Sequence, residues 1–424
     1  GALAIDLVGA ATVATVTTGS GADTIIQTTA DLTSGGYTIS TGAGADTITL
    51  RADADSTVDG GDGVDEVNFD GDYTAESISL SNVEVLDIDT AATVDSSMLT
   101  GQTYVVKDTV ASTGAYNVTV DGTVADLSGL SLDSGTVTSF TVSNATHGAV
   151  LATTYTGTSV VDNYTAGANG DTATLGGGID TFVGGAGADL VYGGAGNDSS
   201  LAGAGSADTI FGEAGNDTIT GGAGNDTLNG GEGADTITGG AGNDAINLTE
   251  TTAVVDEVIM GTTAASGIDT ITGFAAGAGV DVMSLVAAET TANAATAANA
   301  NFDLAADATT LVTSGAAFAL TASTAADGII EITTTLDTDV SLSASSTGAD
   351  LMQALSSDAT EAASITVNTA NNDGFIIVYQ NGNGYLWDFT NDNNTAVLSS
   401  ELTLVAVFEG ITAGAFAEGD FIVA

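Results

Sequence analysis

The sequence predicts an all-β protein, a parallel β-solenoid followed by a smaller, mostly β C-terminal domain with a short helix. First, a nine-residue pattern, G-G-x-G-x-D-x-U-x with U apolar, recurs between residues 175 and 247, and self-similarity at a fixed period is typical of solenoids. Second, runs such as SISLSNVEVLDID and YNVTVDG alternate in the manner of short strands. Third, the chain is 43% hydrophobic although it carries a formal net charge of −53, which favours a folded protein neutralised by an external cation over a disordered acidic chain.

The composition limits the classes of protein to which the chain can belong. It contains no cysteine, so neither disulfides nor cysteine metal sites are expected. No run of 18 uncharged apolar residues occurs, so we expect no membrane span. Because 55 acidic residues face only Arg51 and Lys107, nucleic acid would be repelled and is not an expected partner. The apolar opening GALAIDLVGAATVATV lacks a basic n-region and contains Asp6, which argues against a signal peptide.

Residues 1–174 are predicted to form a β-solenoid with isolated glycine turns at its corners. Three such turns, TGSGADTII, TGAGADTIT and GGDGVDEVN, are embedded among the strand-like runs. We expect their aspartates to bind a cation: Asp23, Asp46, Asp62 and Asp65. A plain glycine turn without a metal is the alternative.

Residues 175–248 are predicted to form a regular roll. Its acidic positions are spaced by nine residues, with one step of ten: Asp180, Asp189, Asp198, Asp208, Asp217, Asp226, Asp235 and Asp244. The apolar positions are Phe182, Val191, Ile210, Ile219, Leu228, Ile237 and Ile246. One turn breaks the pattern, because Ser200 stands where the apolar residue belongs. We predict a bulge there, with Leu201 in the core.

The residue types of the repeat specify its geometry. Glycine permits positive φ, so six residues can form a tight turn whose carbonyls point to one spot, and the next three form a short strand. Two turns per 18-residue revolution sort the aspartates into two stacks, with about 4.8 Å between neighbours. Stacked carboxylates repel unless a hard cation lies between them, and an all-oxygen, irregular site selects Ca²⁺ over Mg²⁺ and transition metals. The glycines expected to contribute carbonyl ligands are Gly184, Gly193, Gly212, Gly221, Gly230 and Gly239.

This array resembles the RTX nonapeptide family, the calcium β-rolls of proteins exported by Gram-negative type I secretion. The resemblance covers residues 175–247 and implies a β-roll with several bound Ca²⁺ ions. A flexible glycine-rich linker would not keep both the aspartate and the apolar positions in register. In the resembled family an uncleaved C-terminal segment is the export signal, which implies a type I secretion signal at the end of this chain.

Residues 249–424 are predicted to form a β-rich C-terminal domain. The segment TGADLMQALSSDATEAAS, from 347, is the best helix candidate, with Thr347 or Asp350 near its N-cap. Strands are predicted in GFIIVYQNGNGYLWDF, in ELTLVAVFEGI and in the apolar end FIVA. The segment 390–401 has the outline of an EF-hand loop but begins with Thr390 and lacks the central glycine. An Asn-rich hairpin loop is favoured, and calcium binding there through Asp388 or Asn391 is the alternative.

The sequence offers little for catalysis. His147 is the only histidine, so neither a zinc-binding H-E-x-x-H motif nor a Ser-His-Asp triad with obvious partners is present. Acidic pairs for glycoside hydrolysis are uninformative where acids are abundant. Tyr385 and Trp387 could stack on a sugar, although cross-strand packing is the commoner role for such a pair. We therefore predict that this chain is not an enzyme.

The low-complexity Thr, Ser, Ala, Gly and Val strands resemble the lattice portion of calcium-dependent surface-layer (S-layer) proteins of the Caulobacter type. This resemblance implies an extracellular, cell-surface protein that assembles with copies of itself after calcium-driven folding. Cell-surface polysaccharide, bound through a region outside this chain, is a further possible partner. The alternatives are an RTX adhesin or binding module and the calcium-binding accessory region of a secreted enzyme.

Overall fold

The computed structural model describes the chain as two compact units, residues 1–200 and 201–424. The described residues are 1–7, 14–27, 36–51, 55–69, 71, 73, 77–88, 93–107, 115–119, 124–132, 139–143, 152–261, 267–277, 280–286, 304–305, 329–332, 342–354, 365–366, 374–389, 396–397, 399–413, 415–416 and 420–423. Each unit is built mainly of short parallel strands, so the predicted all-β solenoid class is confirmed.

Twenty-two strands and one 3₁₀ helix are described in residues 1–200, before the strand that begins at Ser200. The strands are β1 Ala4–Leu7, β2 Ala14–Thr17, β3 Thr24–Gln27, β4 Tyr37–Ser40, β5 Ala43–Gly44, β6 Thr47–Thr49, β7 Ser56–Asp59, β8 Asp62–Gly63, β9 Glu66–Phe69, β10 Ile78–Ser81, β11 Val85–Ile88, β12 Thr93–Asp95, β13 Val105–Lys107, β14 Ala115–Thr119, β15 Val124–Asp126, β16 Ser131–Leu132, β17 Ser139–Ser143, β18 Thr154–Thr156, β19 Val161–Thr165, β20 Thr172–Gly177, β21 Thr181–Val183 and β22 Leu190–Ala195. The 3₁₀ helix covers Ser96–Met98 and is capped by the Asp95 carboxylate, which accepts the Ser97 N–H.

Seventeen strands are described from Ser200 onward, with one α-helix and a second 3₁₀ helix. The strands are β23 Ser200–Gly205, β24 Thr209–Ala214, β25 Thr218–Ala223, β26 Thr227–Glu232, β27 Thr236–Ala241, β28 Ala245–Asn247, β29 Glu257–Gly261, β30 Asp269–Thr272, β31 Val282–Val286, β32 Leu304–Ala305, β33 Ile329–Ile332, β34 Ile365–Thr366, β35 Gly374–Gln380, β36 Asn383–Phe389, β37 Ala396–Val397, β38 Leu402–Glu409 and β39 Phe421–Val423. The helix α1 covers Gly348–Ala354, and the 3₁₀ helix covers Ser399–Glu401.

The first unit begins with parallel sheets whose strands return once per revolution. One sheet has the order β1-β3-β6-β9-β11-β13-β16, and another has the order β10-β7-β4-β2. Ile25, Ile48 and Val67 stand in register on β3, β6 and β9, which are neighbours in the first sheet, and all three are fully buried. Later in this unit β12-β14-β17-β19-β21 and β15-β18-β20-β22 form the two corresponding rows of strands. The predicted solenoid of the upstream region is therefore present.

The second unit contains most of the regular roll. One row of strands runs β23-β25-β27-β29-β31-β39, and the other begins β24-β26-β28-β30-β38. Thr218 pairs with Thr236, so one revolution takes 18 residues, as predicted. The first row buries a column of side chains in register: Leu201, Ile219, Ile237, Val258, Met283 and Phe421. The second row buries Ile210, Leu228, Ile246, Ile271 and Phe408 in the same manner.

The irregular turn of the array is accommodated as predicted. Leu201 is fully buried and pairs with Ile219, whereas Ser200 is half-buried. All seven apolar positions predicted for the roll are buried, with exposures of 0–1%. The D-x-U register of the sequence therefore specifies the interior of the roll.

The parallel pairing continues beyond residue 248. β29, β30 and β31 add to the two rows of the roll although their turns lack the nonapeptide pattern. β38 then pairs in parallel with β30 and antiparallel with β36, which joins β35 through a tight turn at Asn381 and Gly382. Both turn residues have positive φ, 57° and 83°, the conformation that Asn-Gly hairpins require. The proposed domain boundaries at 174/175 and 248/249 stay predictions.

Some predictions for the C-terminal region are confirmed, and others concern residues that the structure does not describe. The short helix is confirmed as α1, where Thr347 donates its N–H and its hydroxyl to the Asp350 carboxylate at 2.6 and 2.7 Å. Trp387 and Tyr385 are buried in the sheet, so core packing is confirmed for this pair. His147 and residues 390–395 of the EF-hand-like segment lie outside the described residues. In the described ranges no helix has the length and hydropathy of a membrane span.

Candidate cation-binding ladders

The aspartate of each repeat enters the interior because of its position relative to the apolar residue. Successive side chains of a strand point to opposite faces, so residues i and i+2 share a face. Asp226 lies two residues before the buried Leu228 and is itself only 1% exposed. The glycine turn ends at this aspartate and β26 begins at the next residue. The D-x-U spacing therefore places a carboxylate at the corner of the roll, on the inner face.

The buried aspartates of the second unit form two hydrogen-bonded rows, which we call ladders. In each ladder the backbone N–H of one aspartate donates to Oδ1 of the aspartate in the next revolution. The first ladder joins Asp208, Asp226, Asp244 and Asp269, with N–Oδ1 distances of 2.8, 2.9 and 3.0 Å. The second joins Asp217, Asp235, Asp256 and Asp281, with distances of 2.9, 2.9 and 3.1 Å. We call one aspartate, together with its turn and strand, a rung of the ladder. Oδ1 thus has a structural role, because it links one rung to the rung of the preceding revolution.

The first unit contains ladders of the same kind. In its later part, Asp162, Asp180 and Asp198 are joined at 2.8 Å per step, and Asp171 is joined to Asp189 at 2.7 Å. An upstream ladder joins Asp23, Asp46, Asp65 and Glu84, with N–O distances of 2.7, 2.9 and 2.9 Å. The isolated glycine turns of the sequence are therefore rungs of a common structure.

The second carboxylate oxygen is the chemically unusual feature of these ladders. Oδ2 is buried and accepts no hydrogen bond in Asp46, Asp65, Asp226, Asp235 and Asp244. A buried carboxylate oxygen without a donor destabilises the fold, because its hydrogen bonds to water are lost and no protein donor replaces them. The arrangement therefore requires a proton or a cation at Oδ2.

A glycine five residues before the aspartate opens the space around Oδ2. A Cβ built on Gly221 would lie 2.5 Å from the carbonyl oxygen of Gly239 in the next revolution and would also collide with Oδ2 of Asp226. A Cβ on Gly203 or Gly212 would likewise collide with Oδ2 of the aspartate five residues later and with a glycine carbonyl oxygen of the next revolution. In the upstream ladder a Cβ on Gly60 would lie 2.8 Å from Oδ2 of Asp65, beside the carbonyl oxygen of Asn82. We call this space the glycine cradle.

Burial raises the pKa of several ladder carboxylates in the second unit. Loss of water raises the pKa of Asp235 and of Asp256 to about 7 and the pKa of Asp269 to about 8, although hydrogen bonds from backbone N–H groups oppose the shift. Neighbouring carboxylates, among them Glu250 beside Asp235 and Asp256, raise these pKa values further. Near neutral pH, protons and metal cations would therefore compete for the same oxygens.

The donor atoms fit a hard cation. Carboxylate Oδ2 and backbone carbonyl oxygens meet at the cradles, and this set of oxygen ligands suits Ca²⁺. Among the described residues no group of three or more acidic or histidine side chains is arranged to hold a metal ion. A cation at these ladders therefore needs backbone carbonyls as well as carboxylates, which is consistent with the glycines at the cradles.

Comparison with known protein families supports this interpretation of the array. The pattern described as the RTX calcium-binding nonapeptide repeat (4 copies) matches residues 165–199, 174–206, 202–237 and 221–249. Residues 165–249 are RTX calcium-binding repeats. No curated protein matches the chain. The turns at Asp23, Asp46 and Asp65 lie outside the matched RTX segments.

The structure places the predicted residues as follows. All eight aspartates of the RTX array, and Asp23, Asp46 and Asp65 upstream, are buried. Asp62 is exposed on β8, and Asp65 instead occupies the ladder position of that turn. Of the six predicted glycines, Gly212, Gly221, Gly230 and Gly239 lie beside Oδ2 of the aspartate five residues later. Gly184 follows β21 directly and Gly193 lies in β22. Calcium ligation by each of these residues stays a prediction.

Several ladder members are absent from the sequence prediction. They are Asp162, Asp171, Asp256, Asp269, Asp281, Glu84 and the cradle residue Gly203. A signal was present, since an apolar residue two positions later is buried after Asp256, Asp269 and Asp281. The nine-residue period conceals it, because Asp235 and Asp256 are 21 residues apart and Asp244 and Asp269 are 25 apart.

Proposed function

We propose that this chain is an extracellular structural protein whose solenoid folds on binding calcium and then assembles with copies of itself into a surface layer or a similar lattice. The observation that carries the first part is that buried Oδ2 atoms in both ladders accept no hydrogen bond, in Asp226, Asp235 and Asp244. RTX repeats of the calcium-binding type cover this region.

Calcium would act here as the missing partner of the ladder. The Oδ2 atoms and the cradle carbonyls would hold it, and the ion would supply the positive charge that the ladder lacks. In its absence, the formal charge of −53 favours an expanded chain, and each rung would bury a carboxylate without compensation. Binding free energy then becomes folding free energy, and neighbouring rungs propagate the fold. Extracellular calcium modules typically work at about 10⁻⁴–10⁻³ M, which suits a chain that folds after export.

Self-assembly rests on the sequence resemblance to S-layer proteins and on charge. Copies that each carry a formal charge of −53 repel one another, so a close lattice needs bridging cations or a strong neutralisation of each copy. An RTX adhesin or binding module, or the accessory region of a secreted enzyme, would share the calcium-dependent fold but would stay monodisperse. Assembly is therefore the property that separates these alternatives.

Electron microscopy of the purified chain in millimolar calcium, beside a chelated sample, tests the proposal. We expect ordered sheets, tubes or filaments in the calcium sample and none in the chelated sample. The triple variant Asp217→Ala, Asp226→Ala, Asp235→Ala should bind fewer calcium ions, melt the array and fail to assemble. The matched control Thr218→Ala, Thr220→Ala, Thr227→Ala changes exposed side chains on β25 and β26, directly after Asp217 and Asp226, and should keep both calcium binding and assembly.

Two results would contradict the proposal. An unchanged calcium titration of the aspartate variant would refute the role of the ladders. Folded but monodisperse wild-type particles in calcium would leave the ladders in place and favour the adhesin or accessory-region alternative.

A further inference from the structure

One rung of the first unit has a ladder aspartate whose cradle already contains hydrogen-bond donors. Asp162 occupies a ladder position, because its N–H donates to Oδ1 of Asp180 at 2.8 Å. Its cradle is formed in the usual way: a Cβ on Gly157 would lie 2.9 Å from Oδ2 of Asp162, beside the carbonyl oxygen of Leu175. The rung is thus built on the same plan as those of the RTX array.

The contacts of the Asp162 carboxylate differ from those in the array. Oδ2 accepts the Thr158 N–H at 2.8 Å and lies 3.0 Å from the Thr158 hydroxyl, which donates to it. Oδ1 accepts the hydroxyl of Tyr155 at 2.7 Å. Both oxygens are therefore satisfied by protein donors, whereas Oδ2 of Asp226 and of Asp235 is not.

Tyr155 is held firmly in this position. It is fully buried and stacks on Tyr164, with ring centroids 4.6 Å apart and an angle of 14° between the ring planes. A buried tyrosine hydroxyl needs a partner, and the Asp162 carboxylate supplies it. The contact joins residues that lie seven positions apart in the sequence.

The other ladder of this unit has a similar rung. Asp171 accepts the Thr153 N–H through Oδ1 at 2.5 Å and the Gly167 N–H through Oδ2 at 2.8 Å. Its N–H continues the ladder to Asp189. Both ladders in the later part of the first unit therefore have, at residues 153–171, carboxylates whose two oxygens are hydrogen-bonded by the protein itself.

On the basis of the calcium binding proposed above, we infer that Tyr155, Thr158 and Asp162 form a calcium-independent rung in which protein donors replace the cation. Charge-assisted hydrogen bonds to both oxygens compensate the buried carboxylate, so this rung needs no metal to fold. In a solenoid each repeat is stabilised mainly by its neighbours. The rung would therefore serve as a preformed template on which the calcium-dependent turns of the RTX array are added.

Calcium stoichiometry of the full chain, measured by isothermal titration, provides the first test. We expect Asp162→Asn to bind as many ions as the wild type, and Asp226→Asn to bind at least one ion fewer. An equal loss in Asp162→Asn would overturn this inference and leave the proposed function intact. An unchanged stoichiometry in Asp226→Asn would instead contradict calcium binding by the ladders. If Asp162→Asn does not fold, Tyr155→Phe is measured in the same way, and a lost ion there overturns the inference.

Hydrogen exchange of the chelated wild-type chain provides the second test. The N–H groups of Thr158 and Asp162 should remain protected without calcium, while those of Asp226 and Asp235 exchange rapidly. Tyr155→Phe should accelerate exchange at Thr158 by about tenfold, in line with a hydrogen bond to a charged group. Equally fast exchange at all four residues in the chelated wild type would show that no calcium-independent rung exists.

Discussion

At the scale of single residues, the ladder aspartate divides its two oxygens between two tasks. Oδ1 accepts an N–H from the preceding revolution, as between Asp226 and Asp208 at 2.8 Å. Oδ2 faces the glycine cradle without a donor. An asparagine could preserve the first contact but would not supply the charge that a cation requires at the second. The cradle glycine is as much a part of the site as the carboxylate.

Gly221→Ala tests the cradle directly. The new Cβ would collide with Oδ2 of Asp226 and lie 2.5 Å from the carbonyl oxygen of Gly239. Overpacking of this kind costs about 1–3 kcal/mol, so we expect the calcium midpoint of folding, measured by circular dichroism, to rise roughly tenfold to a hundredfold. Gly205→Ala is the matched control, because nothing lies within 4 Å of its added Cβ. Equal midpoints for the two variants would remove the cradle from the binding site.

Ala204 is strained at a position where the repeat prefers glycine. Its φ is 110°, and Gly222, one revolution later in the same register, has a φ of 109°. Such a conformation costs a residue with a Cβ about 1–3 kcal/mol. We expect Ala204→Gly to stabilise the calcium-bound protein by about 1 kcal/mol in urea unfolding. Gly222→Ala should destabilise it, since its Cβ would lie 2.5 Å from the carbonyl oxygen of Ala204. A destabilised Ala204→Gly would contradict this account of the backbone.

At the scale of elements, each rung contributes one apolar side chain to a column and one carboxylate to a ladder. The two are coupled by the D-x-U spacing, since both face inward from the same strand. An inserted residue would turn the following side chains to the wrong face. The roll absorbs its ten-residue step at β23, where Leu201 enters the column in place of Ser200.

Substitutions at these two adjacent positions distinguish the column from the bulge. Leu201→Ala should destabilise the calcium-bound protein by about 2–5 kcal/mol, the usual cost of a cavity in a packed core. Ser200→Ala should change stability by less than about 0.5 kcal/mol, because this residue is half-buried and outside the column. Urea denaturation in saturating calcium measures both values. Similar losses for the two variants would mean that the register of β23 differs from the one described.

At the scale of the whole molecule, protons and the calcium ions proposed above would be alternative means of neutralising the ladders. Burial raises the pKa of Asp235 and Asp256 to about 7 and of Asp269 to about 8, whereas the unfolded value is about 3.9. A raised pKa in the folded state contributes stability that is fully present below the unfolded pKa and is lost as pH rises through the folded pKa. Without calcium, the ladders should therefore favour folding in acid and oppose it above about pH 8.

Circular dichroism of the chelated chain between pH 4 and pH 9 checks this expectation. We expect strand signal to decrease as pH rises from about 4 to about 8, the window between the unfolded pKa and the folded pKa values of these carboxylates. High salt screens the general repulsion among exposed charges but leaves the buried titration in place, so the transition should persist in salt. Asp269→Asn should weaken the pH dependence. A strand content that is independent of pH in chelator would show that the ladder carboxylates are not the groups that oppose folding.

The local pattern was sufficient to predict the interior of the roll and most of its ladder residues. Asp226 and Leu228 could be placed on one face from D-x-U alone, and the glycine turns identified where such strands begin. The extension to Asp256 and Asp269 could not be predicted in this way, because the turns before them contain extra residues and no regular glycines. The distinction between the exposed Asp62 and the buried Asp65 also depended on which of them meets the next revolution.

The sequence by itself therefore determined the all-β class, the 18-residue revolution and the all-oxygen character of the array, because each follows from residue type and spacing along a short segment. The tertiary structure alone decided where the ladders continue and how individual carboxylates are satisfied. Asp162 differs from Asp226 because Tyr155 and Thr158 donate to its two oxygens, and that outcome depends on how the strands and turn around it pack. A periodic pattern records which residues enter the interior, whereas the contacts made there depend on the rungs that stack above and below.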